Sequence, residues 1–336
     1  MDTVRWGIAG PGRIAEAVAT DLALVEGAEL VAVGSRSAER AEAFVRAHGG
    51  PRTRAHGCYR ALVDDDAVDV VYVATPHPQH AAIAVAALEA GKAVLVEKTF
   101  TATLAGAWRV VDAARTHRVF AMEAMWTRFQ PVLVRARELI AEGAIGEVRS
   151  VQADLGTVRE VDPSDRLFDP ALGGGALLDL GVYPVSFAQM VLGTPARVTA
   201  VGSREWTGVD ADGAMLLGYD DGRFATLQTS FHSPSPGQAR IFGTDGWIDV
   251  LPRFHHPRSI VVHRGAVDPD DAGERIDLPP IGTGYAHELV EVGECLRAGR
   301  TESAVMPLDD TLAVQGVLAD AAEQLGLTFR EGEDVP

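Results

Sequence analysis

Short apolar runs alternate with helical segments through the first 123 residues, and this alternation constrains the fold more than any other feature. Residues 4–9, 30–33, 68–74, 93–96 and 119–122 are apolar runs of strand length. Between them, 13–25, 38–48, 81–90 and 104–115 carry a helical pattern. A strand that returns parallel to its neighbour needs a crossover, and a helix supplies it. Repeated β-α-β units therefore predict an α/β doubly wound parallel sheet of the Rossmann type, with helices on both faces.

The first turn of that alternation carries Gly10-x-Gly12-x-x-Ala15. The first glycine permits a tight turn, the second lets backbone approach a pyrophosphate, and the small third residue allows close packing of helix on strand. A glycine trio alone describes many strand-to-helix turns. Between a strand and a helix of a βαβ unit it predicts dinucleotide binding, with Arg13 and Ile14 opening the helix over the phosphates.

The end of the second strand chooses the dinucleotide. A site for NAD usually offers a carboxylate to the ribose 2′-hydroxyl. Here the residues are Ser35-Arg36-Ser37, with Arg40 one turn on. Hydroxyls and guanidinium groups suit a 2′-phosphate, so NADP is expected, with NAD as the alternative. The competing reading leaves both arginines as solvated surface residues.

Ligands of doubly wound sheets bind at the carboxyl ends of the strands. Two polar clusters fall there: Thr75-Pro76-His77-Pro78-Gln79-His80, and Glu97-Lys98. Near a nicotinamide, Lys98 would polarise a substrate hydroxyl or lower a neighbour's pKa. The paired histidines invite a metal reading, but no cysteine or carboxylate cluster at ligand spacing accompanies them, and the same holds for His255-His256. No metal is expected.

Composition narrows the partners. With 47 acidic against 30 basic residues the formal charge is −17, which argues against nucleic acid or an anionic membrane. Cys58 and Cys295 form no CxxC and read as reduced thiols. The chain opens straight into a strand-like run with no signal-peptide pattern, and no uncharged apolar stretch of about 18 residues suggests a membrane span. A cytoplasmic protein is expected.

The second half reads differently. Residues 131–142 predict a helix, 148–155 a strand, and 157–170 a polar loop with Arg159, Asp162, Asp165, Arg166 and Phe168. Further strands are predicted at 196–201, 214–219, 224–231, 239–243, 246–250 and 259–263, with hairpin turns at Asp220-Asp221-Gly222 and Thr244-Asp245-Gly246. Consecutive hairpins imply an antiparallel sheet of the α+β kind. Helices follow at 285–298 and 308–325, and the tail from 329 is expected to be frayed or extended. The expected division is a dinucleotide domain at 1–123 and a substrate and dimerisation domain at 124–330.

Between the loop and those strands lies GGGALLDLGVYPVSFAQMVL, residues 173–192. Asp179 and Tyr183 are four apart and so share one helix face. An acid and a phenol on an apolar helix are costly to bury unless something satisfies or uses them. A core tyrosine bonded to backbone and an acid at the helix surface explain the same residues.

The strings GIAGPGRIA at 7–15, TPHPQH at 75–80, EK at 97–98, EAMWTRFQP at 123–131 and GGGALLDLGVYPV at 173–185 resemble the Gfo/Idh/MocA family of NAD(P)-dependent oxidoreductases. They resemble most the branch holding dihydrodiol dehydrogenases and NADP-dependent D-xylose dehydrogenases. By position, the family's lysine falls on Lys98, its helical acid on Asp179, and its histidine or tyrosine on Tyr183. Thr99 stands where the family usually has proline, and His77 where many relatives have asparagine. The resemblance implies one large open sheet in the second half, with the central helix on one face and often a homodimer interface on the other, a tetramer being possible.

It also implies the chemistry. A dehydrogenase holds a carbinol carbon against the nicotinamide and removes the hydroxyl proton. Tyr183 is the expected acid/base, helped by the charge of Lys98, with Asp179 orienting the substrate or the lysine. Trp126, Arg128, Arg166 and Phe168 are candidates for the substrate wall. The expected substrate is a sugar oxidised as an aldose 1-dehydrogenase does, or a cyclic diol. A glycoside-cleaving enzyme with tightly held NAD and a non-catalytic cofactor sensor are the other readings. Arg36 speaks against the first of these, and the intact Lys98, Asp179 and Tyr183 against the second.

Overall fold

The structure is a computed structural model and describes residues 3–268, 270, 272–332 and 335. The chain forms two compact units. The first comprises the described residues up to Ala124, Ile281–Leu312, and those from Arg330 onward. The second comprises Met125–Pro280 and Ala313–Phe329.

The first unit is built on strands β1 (Val4–Ala9), β2 (Ala28–Gly34), β3 (Arg54–His56), β4 (Val70–Val73), β5 (Ala93–Glu97) and β6 (Ala121–Ala124). Their order is β3-β2-β1-β4-β5-β6, every pair parallel. The winding reverses between β1 and β4, and a doubly wound sheet opens its ligand crevice beyond those two carboxyl ends. Strands β4 and β5 are buried throughout, which is why they read as unbroken apolar runs. Val73, Val94 and Val96 join Ile83, Leu88, Val110 and Val111 of the covering helices in one core. Each such side chain contributes about 1.5–3 kcal/mol on burial.

The sequence pattern misses β3 and the short helix Tyr59–Val63. Strand β3 is a three-residue edge, Arg-Ala-His, with its first two residues exposed. It is held by backbone pairing to β2, so no apolar alternation marks it.

After the second unit the chain returns to the first. Asp21, fully buried on helix Arg13–Leu22, accepts backbone N–H groups of Thr283, Gly284, Tyr285 and Ala286 at 2.9–3.2 Å. It thereby caps helix Ala286–Arg297. The tail is tied rather than merely extended: Glu331 Oε1 accepts from Thr103 N at 2.7 Å, and Gly332 N donates to Pro78 O at 2.6 Å. Polar contacts between distant segments leave no periodic trace in sequence.

The second unit is built on β7 (Val148–Gly156), β8 (Arg197–Arg204), β9 (Asp210–Gly218), β10 (Phe224–Ser230), β11 (Ala239–Gly243), β12 (Gly246–Val250), β13 (Ser259–Arg264) and β14 (Glu274–Asp277). The order is β14-β13-β12-β11-β7-β10-β9-β8. The sheet is antiparallel except that β10 runs parallel to β7. The reason lies in residues 231–238, FHSPSPGQ, a connection too long and proline-rich for a hairpin. It carries the chain past β7, so β11 pairs on β7's other side. Strand β14, the polar edge Glu-Arg-Ile-Asp, went unforeseen for the same reason as β3.

One face of this sheet buries Val151, Ala153, Leu155, Met215, Leu217, Ala225 and Leu227, and helix Val182–Leu192 packs on β7 and β10. The opposite face exposes Val201, Leu216 and Phe224. The run Pro170–Leu192 is long and apolar enough to cross a bilayer by composition, but 89% of its most apolar window is buried inside the protein.

Candidate active site

The first unit gathers the expected dinucleotide residues at one sheet edge. Gly10, at φ +95°, ends β1, and a Cβ there would press to 2.9 Å on the Ala74 carbonyl oxygen beyond β4. Only glycine fits that approach. Gly12 differs: a Cβ would meet nothing within 4 Å, so the position faces open space. Gly12 is also the N-cap of helix Arg13–Leu22, and no side chain caps that end. An uncapped helix start beside a bare backbone is a cradle for a phosphate. Ala15 is fully buried, as close packing of helix on strand requires.

Ser35, Arg36 and Arg40 follow β2. Ser35 Oγ accepts from Ser37 N at 3.2 Å, and Ser37 caps helix Ala38–His48. Arg40 reaches back to the Pro11 carbonyl at 3.5 Å, bringing its charge beside the glycine turn. Burial pushes the Tyr59 phenol above its usual 10, while Arg36 and Arg40 beside it pull the other way. The two guanidinium groups thus share a neighbourhood, with no carboxylate at 35–37. Arg13 and Ile14 lie in the first turn of the helix, Arg13 exposed and Ile14 half-buried.

Thr75, Pro76, His77 and His80 follow β4, with Glu97 and Lys98 at the end of β5. His80 is fully buried. One ring nitrogen faces the carbonyls of Thr99 and Phe100 at 3.1 and 3.2 Å, and the other faces that of Thr75 at 2.7 Å. It therefore braces the two strand-end loops against each other. His77 sets its ring edge-on to His80 at 5.6 Å. Tyr72 Oη donates to Glu97 Oε1 at 2.5 Å, and Lys98 N donates to Glu97 Oε2 at 3.1 Å. Burial, followed by the Glu97 charge, raises the Tyr72 phenol well above 10, so it stays a donor. Lys98 is half-buried beside this pair, and Thr99 is fully buried.

The second unit holds the acid and the phenol. The sequence reads the apolar run that follows the three glycines in 173–192 as one helix. The structure divides it into a π turn at Leu177–Gly181 and an α-helix at Val182–Leu192. Pro184 has no N–H to return to the carbonyl four residues before it, and the widened turn lies just ahead of that gap. Asp179 and Tyr183 are 9% and 7% exposed, so both lie in the wall of the unit rather than on a free helix surface. Arg166, from the polar loop, meets Asp179 Oδ1 at 3.2 Å.

Around Tyr183 the structure assembles rings that sequence spacing does not connect. Trp126 Nε1 donates to Tyr183 Oη at 3.2 Å. His255 lies 4.9 Å from the Tyr183 ring, centroid to centroid, and His256 lies 5.6 Å from Trp126. Thr127 Oγ1 fixes the loop by donating to the His255 carbonyl at 2.7 Å. Burial, with Arg253 and Arg258 nearby, holds His256 below its usual 6.5, so it is neutral at pH 7. The adjacent histidines drew attention in sequence only as metal candidates.

Arg128 and Phe168 are both buried. Arg128 is 1% exposed and binds Ser186 Oγ at 3.1 Å, Ser186 O at 3.2 Å and Gln189 Oε1 at 2.5 Å. Its guanidinium thereby ties the loop to the central helix. Phe168 is buried against Phe231 at 5.8 Å. One residue that spacing did not suggest, Asp210 of β9, accepts Leu177 N at 2.6 Å under the π turn.

Residues 4–125 match the model of an oxidoreductase family with an NAD-binding Rossmann fold, and residues 133–249 match the GFO/IDH/MocA C-terminal domain. The two matches cover more than half of the chain, which belongs to the Gfo/Idh/MocA oxidoreductases. Among individual proteins, it is 35% identical to a trans-1,2-dihydrobenzene-1,2-diol dehydrogenase of Xenopus tropicalis, over 97% of this chain and 99% of that one. Among solved structures it is similar to KijD10, a 3-ketoreductase from Actinomadura kijaniata in complex with NADP and TDP-benzene, with a TM-score of 0.83, 28% identity and 98% of each chain covered. It is also similar to an aldose-aldose oxidoreductase from Caulobacter crescentus complexed with glycerol, with a TM-score of 0.83, 26% identity, and 96% of this chain and 97% of that chain covered.

Proposed function

We propose that the protein is an NADP-dependent dehydrogenase of cyclic diols, with Tyr183 as its acid/base and Lys98 and Asp179 as assistants. The observation that carries this reading is the setting of Tyr183: a phenol on an inward-facing helix, its oxygen accepting the Trp126 indole N–H and its ring packed on His255. A donor aimed at a phenol oxygen favours the form that takes a proton from a substrate hydroxyl. The rings of Trp126, His255 and His256 offer a planar, unsaturated ring a surface to stack on. That supports a cyclic diol over an open or fully hydroxylated sugar. A diol dehydrogenase of 35% identity over nearly the whole chain supports the same choice.

A nicotinamide cofactor, when bound, supplies the hydride acceptor. The residues that would hold it are the Gly10–Gly12 turn, the helix start at Arg13, and Ser35, Arg36 and Arg40, which favour a 2′-phosphate. Asp179, paired with Arg166, is proposed to orient the diol. The exposed face bearing Val201, Leu216 and Phe224 is proposed to bind a second copy of the chain, because exposed apolar side chains among polar ones on a sheet face suit an isologous interface.

The test is NADP and NAD reduction across trans-dihydrodiols and aldoses, run on wild type and Tyr183→Phe. The reading holds if diols with NADP give the largest kcat/KM and the variant loses it by about 10²-fold or more. It fails if aldoses are the better substrates, or if wild type releases no reduced cofactor. Light scattering on wild type and Phe224→Arg tests the dimer.

A further inference from the structure

We infer that Asp210 is a positioning residue for Asp179 and Tyr183: its carboxylate, projected from the first residue of β9, holds the open end of the π turn that carries them. The inference rests on the catalytic reading of those two residues.

Asp210 is 1% exposed, and its Oδ2 accepts Leu177 N at 2.6 Å, two residues before Asp179. The other carboxylate oxygen lies against Gly175, where any Cβ would overlap it. Gly175 also has φ +117°, a conformation that L side chains rarely adopt. The last glycine of the GGG run is therefore required by a carboxylate from another element, and the sequence motif acquires a local cause. The position is not an ordinary helix cap. An ordinary cap is a serine, threonine, asparagine or aspartate at the residue before the first turn, and here that residue is Ala176. The acceptor comes instead from a strand 33 residues on, so it ties the turn to the sheet.

The tie is electrostatically demanding. Arg204 of β8 is the Cα partner of Asp210, but its guanidinium is directed to the Leu325 carbonyl. Leu177 N–H bonds Asp210 Oδ2 and the Ala176 N–H lies nearby, while Oδ1 is buried without a hydrogen-bond partner among the described residues. Burial pushes the carboxyl up to about 6, against the pull of those N–H groups and the more distant Arg204 charge. At pH 7 the group is mostly ionised, and below pH 6 it is mostly neutral. A buried ion destabilises the fold, so a charged cap here makes sense where position matters more than stability.

The experiment compares wild type, Asp210→Asn and Asp210→Ala. Asparagine keeps the shape and one acceptor but never ionises. For Asp210→Asn at pH 7.5 the expected results are an unchanged or raised thermal midpoint, kcat down about 10-fold, and KM for the cofactor within about 2-fold. The wild-type acid limb of kcat near pH 6 should be lost. Asp210→Ala should lose both activity and stability. A lower thermal midpoint in Asp210→Asn with wild-type kcat and acid limb would overturn the inference, leaving Asp210 a structural cap. Trp126 emission gives a readout independent of turnover, taken as the part of the signal lost in Trp126→Phe. A transition near pH 6 in wild type that Asp210→Asn lacks supports the inference even if no substrate is turned over. Identical emission curves in both proteins count against it, whatever the fate of the diol reading.

Discussion

Trp126 Nε1 lies 3.2 Å from Tyr183 Oη, donating to it, although the two residues are 57 apart in sequence. This contact separates two variants that a packing role alone would not. Tyr183→Phe keeps the ring on His255 but removes the proposed proton-transfer group, and on that proposal kcat should fall by about 10² or more. Trp126→Phe keeps an aromatic wall but removes one donor, so kcat should fall by about 10-fold, the worth of a single hydrogen bond. Steady-state kinetics on both variants checks this. Equal losses would mean that the indole N–H does nothing distinct from the phenol.

On the proposed NADP reading, cofactor choice depends on Arg36 and Arg40. Arg40 stands beside the Pro11 carbonyl in the glycine turn, and Arg36 shares the Tyr59 phenol with it. Replacing Arg36 with Asp puts a carboxylate where a 2′-phosphate would lie. KM for NADP should then rise by about 10² or more, while KM for NAD stays level or falls. Cofactor titrations of wild type and variant decide it, and a wild type that already prefers NAD would sink the idea.

The same two arginines show what sequence could convey. Gly10, Gly12 and Ala15 sit within six residues of one another, so local spacing alone exposed the phosphate turn, and the buried strands β4 and β5 were plain from their apolar runs. Asp179 and Tyr183 were legible as a pair because a helix repeats every few residues. The setting of that pair was not. His255 reaches Tyr183, and Asp210 reaches Leu177, only through the tertiary fold. The EAMWTRF string likewise does not say that the Arg128 guanidinium meets Ser186 and Gln189.

Asp21 is the second place where a single carboxylate joins distant segments. It receives four backbone N–H groups at the start of helix Ala286–Arg297. Asp21→Ala leaves buried donors without a partner, each costing about 1–3 kcal/mol, so the loss should be about 3 kcal/mol or more. Asp21→Asn keeps acceptor oxygen and should lose less. Thermal melts of the three proteins test the order, and a harmless Asp21→Ala would show that the helix start finds other acceptors.

Glu288 carries a pH dependence whose sign can be worked out. It is fully buried within the first unit, and neither carboxylate oxygen has a hydrogen-bond partner among the described residues. Burial first, then the charges of Glu97, Asp21 and Glu123, raise its pKa well above the ordinary 4.5. The folded protein therefore holds this proton more tightly than the unfolded chain does. Its contribution to stability is complete below pH 4.5 and is lost progressively as pH rises from there toward the folded value. Glu288→Gln is neutral at every pH and removes this slope. The thermal midpoint of the variant should approach or exceed that of wild type increasingly as pH goes from 5 to 8. Melts at half-unit steps across that window measure the difference. A constant offset between the two curves would mean that Glu288 loses its proton in the folded protein as readily as in the unfolded chain.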